Sequence, residues 1–380
     1  MAAAEVAVAE AVVEAAAAAV DMAALARVVA AVRAAAVDTV AAAAKGAADI
    51  SRASLNRHLN TVPWENGDSQ RQSAVALPSA TWIHKLIMAA AVGLPFCGCL
   101  LAIAITWRHG FMGWLYLAML VGGWLLTGMG ITIGFHRLLT HRSFDTYPWV
   151  RTFWMALGAL SVEGSPLVWC AVHRRHHELS DQPGDPHSPH LHGDGWWNTL
   201  RGLWHAQAGW LFTGYWSAPD LQRYVPDLLA ERSLVLVDRL YYVWVIVSLG
   251  LPALIGGLAT LSWQGALLGL VWGGLVRIFV THHITWSINS ICHVFGRREY
   301  AAHDDSRNNW LCGLLGLGEG WHNSHHAFPT SARHGLESWQ LDASWLVIRA
   351  MQAVGLAWNV RLPSAVQRAA KRLPEECLGD

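Results

Sequence analysis

Charge is scarce in this chain. Only 14% of its 380 residues are Asp, Glu, Lys or Arg, while 53% are hydrophobic. A soluble globular protein carries about a quarter charged residues, so the deficit implies a membrane protein before any segment is inspected. Lys plus Arg and Asp plus Glu both total 27, which leaves no net charge to attract nucleic acid or an acidic partner. Cysteine lacks a pattern. Cys97, Cys99, Cys170, Cys292, Cys312 and Cys377 form no CxxC pair and no zinc spacing. A disulfide framework is therefore not expected, and a reducing cytoplasmic face fits better. Cys97 and Cys99 fall in an apolar stretch and read as small buried hydrophobes. No CxxCH haem site and no GxGxxG after a strand is found. Reducing equivalents, if the chemistry needs them, are expected from another protein.

What is present starts with residues 1–80, an Ala-rich low-complexity extension followed by a polar linker around Pro63 to Gln72. It has helix propensity but little Leu, Ile or Phe, and no basic stretch leading into a compact apolar block as a signal peptide would have. It reads as a dispensable extension, the rival being an amphipathic helix on the membrane. Residues 81–380 carry the remaining domain. Apolar segments run from about Leu86 to Trp107, Met112 to Phe135, Leu240 to Leu261 and Ala266 to Ser287. Each approaches the ~20 residues that cross a bilayer as a helix. The stretch Trp149 to Val172 is broken at Glu163–Pro166 and reads as two interfacial helices. The hairpin links hold few basic residues, whereas Arg137, Arg142, Arg174, Arg175, Arg201, Arg297 and Arg298 flank the other ends. The positive-inside rule then puts both termini and the central region in the cytoplasm. The fold class expected is an all-α membrane protein: four transmembrane helices in two hairpins, under a cytoplasmic helical cap holding a dimetal site.

The dimetal expectation rests on histidine, of which there are 20. His173-Arg-Arg-His176-His177 follows Ser165 and Pro166, a good N-cap and first helical residue. On a helix all three imidazoles share one face, so two can reach one metal and the third its neighbour. His322-Asn-Ser-His325-His326 repeats the HxxHH spacing. His293 and Asn289 share a face one turn apart, with Gly296 placed to end that helix. His136 and His141 are the weaker pair, because positions five apart lie about 140° apart on an ideal helix. They suit two different metals, or a helix that loosens there. Imidazole suits zinc, copper, iron and nickel, and nine exceed what one tetrahedral zinc needs. An all-imidazole set lacks anionic donors, which leaves the metals more positive and favours strongly oxidising chemistry.

HRLLTHRSF, HRRHHELSDQPGDPHS, NSICHVFG and GEGWHNSHHAFP resemble the three histidine boxes and the extra Asn/His element of membrane fatty-acid desaturases, closest to the bacterial acyl-CoA delta-9 type. The resemblance covers roughly residues 81–355. It implies a centre of two Fe ions, molecular oxygen as oxidant, and removal of two hydrogens from a saturated acyl chain in a bent tunnel. It carries the ligand roles onto His136, His141, His173, His176, His177, His293, His322, His325 and His326, with Asn289 linked through water. One departure stands out: the Arg-Asp pair that holds CoA in animal members is Ala171 and Val172 here. The expected partners are a fatty-acyl substrate, acyl-CoA first, the lipid bilayer of a bacterial cell, and an electron donor such as cytochrome b5, ferredoxin or rubredoxin with a reductase.

Arg174, Arg175 and Arg201 are candidates for carrier phosphates, and Trp196, Trp197 and Trp286 for the acyl tunnel. The bland alternatives are positive-inside charge and interfacial aromatic belts. His282 and His283 read as structural. His187, His190 and His192, with Asp181, Asp185 and Asp194, read as a solvated cap loop. Rival functions are a hydroxylase or ketolase on the same scaffold and, from a different class, a metal transporter or sensor. Transport would call for ionisable residues within the spans, where only Arg277 stands away from the ends.

Overall fold

Thr81 opens the first long helix by accepting the His84 amide, and Gly110, at φ 76°, closes it. The computed structural model describes residues 79–374, apart from positions 215 and 217 and the side chains at 218 and 219. The Ala-rich extension lies outside the described residues. Among these, every regular element is a helix, and extended pairing is limited to isolated bridges such as Asp145 with Trp358. Four helices are long and apolar enough to cross a membrane: Trp82–His109, Trp114–Thr140, Tyr241–Thr260 and Trp263–His293. The second and fourth outrun the apolar segments that mark them, because each helix continues into a histidine-bearing end, to Thr140 and to His293.

The first span is α1 (Trp82–His109). The second is α2 (Trp114–Met129), which continues as a π-helix over Gly130–Thr140. Two helices follow, α3 (Pro148–Ala159) and α4 (Pro166–Leu179), each opened by proline. Then come α5 (Trp196–Gln207), the short α6 (Ala218–Tyr224) and α7 (Pro226–Leu229), and α8 (Arg232–Arg239). The third span is α9 (Tyr241–Thr260). The fourth joins α10 (Trp263–Gly269), a π-helical stretch Leu270–Val276, α11 (Arg277–Ser290) and a closing turn Ile291–His293. Four short helices complete the chain: α12 (Trp310–Leu315), α13 (His322–Ala327), α14 (Ala343–Ala353) and α15 (Ala365–Lys371).

Ser165 stands at the cap position of α4, but its hydroxyl makes no cap bond. It donates to Asp238 of α8 at 2.5 Å, and the same carboxylate accepts the Leu167 amide at 2.9 Å. A carboxylate from a neighbouring helix thus does the capping, and fixes α4 to α8 as it does so. The π-helix crosses α3 backbone to backbone. A Cβ on Gly130 would lie 2.3 Å from the Gly158 amide nitrogen, so no larger residue fits there. Close approach at small residues is how helices pack in a membrane, where burial of apolar surface gives no drive.

Arg277 is buried in the fourth span, and its donors go to the carbonyls of Gly273 and Leu160 and to the Ser248 hydroxyl. His282, one turn on, faces the carbonyls of Ser161 and Val162 at 3.1 and 3.0 Å. Both therefore tie the α3–α4 link to the spans. One expectation is corrected here. Cys97 is exposed on α1 and Cys99 is half-buried, because that helix turns these positions outward, where hydrocarbon rather than protein surrounds a span.

Candidate metal centre

His136 lies within the π-helix and His141 directly after it, and the His141 amide bonds the His136 carbonyl at 3.1 Å. A π-helix closes its turn at i→i+5. Positions five apart are therefore stacked on one face rather than 140° apart, and the two rings sit 4.8 Å from each other. Of the two alternatives open for this pair, the loosened helix is the one found.

The HxxHH motifs divide in opposite senses. His136, His141, His173, His177 and His325 bring one nitrogen each within 4.8 Å of one another. His176, His293, His322 and His326 form a second such group. On α4 the first and last histidines of the triplet join the five-membered group, and the middle one joins the four. On α13 the middle one joins the five. Four stretches remote in sequence are thereby held at one end of the spans, and seven of the nine rings are buried while His141 and His177 are half-buried.

The donor chemistry fits metal. Four of the nine rings turn Nδ1 to a buried carboxylate: His136 to Glu319, His176 to Asp185 at 3.0 Å, His293 to Asp181 at 2.9 Å and His326 to Asp304 at 2.5 Å. An ionised carboxylate only accepts, so each of these Nδ1 atoms carries the proton and each Nε2 presents a lone pair. Two of those lone pairs face a second imidazole nitrogen: His136 Nε2 lies 3.0 Å from His325 Nε2, and His293 Nε2 lies 3.1 Å from His322 Nε2. The Nε2 atoms of His141, His176 and His326 are buried with no partner among the described residues. Buried polar atoms are normally satisfied. A cation within each group would satisfy all of them, and carboxylate–imidazole–metal relays are the usual way such rings are oriented.

The carboxylates stay ionised despite burial. Burial alone would raise Asp185, but the His176 charge and hydrogen bond hold it at about 2. Burial likewise works against Asp181, where the hydrogen bond from His293 wins and holds it below the usual carboxylate range. Glu319 is lowered against burial by His136 and Arg137. The ligand rings move the other way. Burial first, and then neighbouring imidazoles, push His141, His173, His177, His322, His325 and His326 well below the ordinary value. A ring that is neutral when folded takes up a proton on unfolding below about pH 6.5. The sign is therefore loss of stability on acidification, by about 1.4 kcal/mol per neutral imidazole per pH unit. Metal-free protein is expected to melt progressively lower as pH falls from 7 through 5. A melting temperature that stays level over that range would contradict these shifts.

Sequence reading missed the carboxylates. The loop with Asp181, Asp185 and His187, expected to be solvated, turns those three inward, and only His190, His192 and Asp194 are exposed. The correction has a clear cause: two ligand rings need an acceptor behind them, and this loop supplies both. The nine-residue interval from His176 to Asp185 was the available signal. Glu319 and His334 were also missed. They sit beside His136, with Arg137 donating to Glu319 and Asp342 at 3.0 Å each.

The substrate candidates are scattered. All five Arg174 donors are engaged, with Asp227 and the carbonyls of Leu139, Thr140 and Tyr224, which leaves none for a carrier phosphate. Arg175 is buried with Nε on the Gly184 carbonyl, and Arg201 is exposed. Trp196 and Trp197 stack on one another and are each 64% exposed. Trp286 is buried beside His282. Asn289 is half-buried, one turn before His293. Ala171 and Val172 lie in the core. A small apolar cavity of about 30 Å³ between the second and fourth spans is lined by Trp124, Ile131, Thr285, Ile288 and Glu319.

Four spanning helices with two imidazole groups at one end define a membrane-embedded protein of the histidine-box class. The comparison with known families is direct: a family model described as fatty acid desaturase matches residues 110–361, and the chain belongs to that family. It is 41% identical over 282 residues to hex-5-enoyl-[acyl-carrier protein] acetylenase of Moorena producens (strain JHB), covering 74% of this chain and 87% of the relative. It is 41% identical over 244 residues to sn-1 stearoyl-lipid 9-desaturase of Anabaena variabilis, covering 64% and 83%. It is 40% identical over 245 residues to delta-9 acyl-lipid desaturase 1 of Arabidopsis thaliana, covering 63% and 73%.

Proposed function

We propose that this protein introduces a double bond into a saturated fatty-acyl chain, at the delta-9 position, at a di-iron centre. The observation that carries the reading is the division of nine histidines into a five-membered and a four-membered group with Nε2 atoms turned inward. His136, His141, His173, His177 and His325 would hold one iron, and His176, His293, His322 and His326 the other, with Asn289 reaching it through water. Bound iron would supply the activation of oxygen. The balance is fixed by chemistry: a CH2–CH2 unit, O2, two electrons and two protons give CH=CH and two waters. The electrons come from an external cytochrome b5, ferredoxin or rubredoxin.

The chain's own residues bind and orient. Asp181, Asp185, Asp304 and Glu319 fix the tautomer and angle of the ligand rings, and a small apolar cavity between the second and fourth spans touches Glu319. The acyl carrier is better read as a lipid or a carrier protein than as the CoA expected from sequence. The Arg-Asp positions are the buried Ala171 and Val172, Arg174 has no free donor, and the names of the three relatives specify lipid or acyl-carrier-protein substrates. Exposed Arg142, Arg201 and Arg297 at the histidine end support a cytoplasmic site, with the helices around the boxes forming its cap. The test is reconstitution in bilayers with reductase, ferredoxin, oxygen and stearoyl groups on lipid, carrier protein and CoA. A delta-9 monoene is expected, without incorporated oxygen by mass spectrometry. Absence of unsaturated product from all three carriers would overturn the reading, and a hydroxylated product would favour the hydroxylase alternative.

A further inference from the structure

The short helix before the third histidine motif turns its apolar side chains outward, the wrong way for a cap surrounded by water. Residues 310–318 contain no charged residue. Within α12 the small Cys312 and Gly313 are buried, while Trp310, Leu311, Leu314 and Leu315 are exposed. A second apolar turn lies beside them. The Trp321 indole, which a Cβ on Gly313 would meet at 2.9 Å, donates to the Leu341 carbonyl at 2.8 Å. It also packs on Trp339 with ring centroids 5.2 Å apart. Trp339 and Leu341 are exposed as well, so six large apolar side chains share this surface. Single exposed apolar residues are ordinary, but a contiguous patch marks contact with a membrane or another protein.

Depth decides between those two covers. Cys312 packs in one buried cluster with Ile288 and Cys292 of the fourth span, and a Cβ on Gly316 would lie 3.1 Å from Ile288 Cδ1. Leu317 reaches the second span, where a Cβ on Gly128 would lie 3.0 Å from its Cδ1. Gly128 stands fourteen residues on from Trp114, which opens that span at the end away from the histidines. At 1.5 Å per residue the distance is about 21 Å along the helix, short of the ~30 Å hydrocarbon thickness. The turn after α12 is therefore packed on a part of the span that the bilayer still surrounds, and the patch continues the lipid-facing surface of the spans. Its rim carries a matching charge. Arg297 is exposed and pairs backbone to backbone with Asn308, at 2.9 and 2.7 Å, two residues before Trp310. An apolar surface bordered by arginine suits anionic phospholipid.

We propose that α12 and the turn at 339–341 form a membrane-seating surface, embedded among phospholipid acyl chains of the leaflet nearest the histidines. Trp321 joins this surface to His322, the next residue in the chain, so the lipid contact fixes the third histidine motif at the level of the bilayer surface. The inference stands on exposure and depth, whatever reaction the metal centre carries out.

The experiment uses the full-length wild type, a single chain per nanodisc of phosphatidylcholine and phosphatidylglycerol, with a diazirine on the phospholipid acyl chain. After irradiation, mass spectrometry of peptides maps the adducts. Peptides holding residues 310–315 and 339–341 are expected to be labelled as strongly as the exposed leucines at 251, 254 and 258 of the third span. The double change Leu311→Glu and Leu314→Glu is expected to lose the α12 adducts while the third span keeps its own, with circular dichroism showing that the variant is folded. Adducts confined to the four spans in the wild type overturn the proposal, because the patch then faces water and is left for a protein partner. Label on α12 that persists in the folded double variant overturns the assignment to these side chains. Should the double variant fail to fold, the wild-type map still decides.

Discussion

Replacing His325 with alanine is expected, with each group holding one ion as proposed, to lower the bound metal from about two ions per chain to about one and to reduce desaturation below detection. His325 is the hub of the five-membered group. Its Nε2 lies 3.0 Å from His136 Nε2 and 2.9 Å from His177 Nε2, and its ring packs 4.7 Å from His141. Its removal opens a hole among imidazoles that no neighbouring carboxylate can fill, because Glu319 is already committed to His136 and Arg137. His322→Ala should instead deplete the other ion, since His322 faces His293 and His326. Iron per chain by mass spectrometry, with Mössbauer spectra of the two variants, distinguishes the sites. Retention of both ions in His325→Ala would refute the division into five and four.

Arg137→Met is expected to be the most damaging substitution for folding. The guanidinium is fully buried and reaches Glu319, Asp342 and the Ala332 carbonyl. Asp342 in turn caps α14 through the Trp345 amide and accepts the His334 amide. Removing one partner from such a network leaves two uncompensated carboxylates, a loss of about 3–5 kcal/mol. The effect also reaches the metal site, because Glu319 would no longer be balanced as it holds His136. Thermal unfolding in detergent gives the cost. The triple change Arg137→Met, Glu319→Gln and Asp342→Asn should recover part of it, since the orphaned charges are then gone. If Arg137→Met melts within a degree or two of the wild type, the network is not what fixes α14 and Glu319 to the second span.

Sequence periodicity and composition were enough for the four spans, since hydrocarbon imposes a length and an apolar content that few other structures share. The HxxHH motifs were legible for a related reason: i, i+3 and i+4 converge on any α-helix, so α4 and α13 needed no knowledge of their neighbours. His136 and His141 were not legible in the same way, because their five-residue spacing converges only where the helix loosens to a π-helix, and that stretch packs closely on α3 where Gly130 meets Gly158. The extended loop after α4 looked solvated because Asp, Pro, Gly and His are ordinary surface residues. Asp181 and Asp185 become interior only when His293 and His176 need acceptors.

The chain by itself therefore determined that this is a membrane protein of four spans with nine candidate imidazole ligands, because bilayer thickness and helical pitch act on consecutive residues. Only the tertiary structure decided how those imidazoles divide, which carboxylates set their tautomers, and that Arg174 is spent on Asp227 rather than offered to a ligand. Those are contacts between residues separated by roughly ten to two hundred positions, and no local rule reports them. The nine histidines could be named from the sequence, but their assignment to two groups could not.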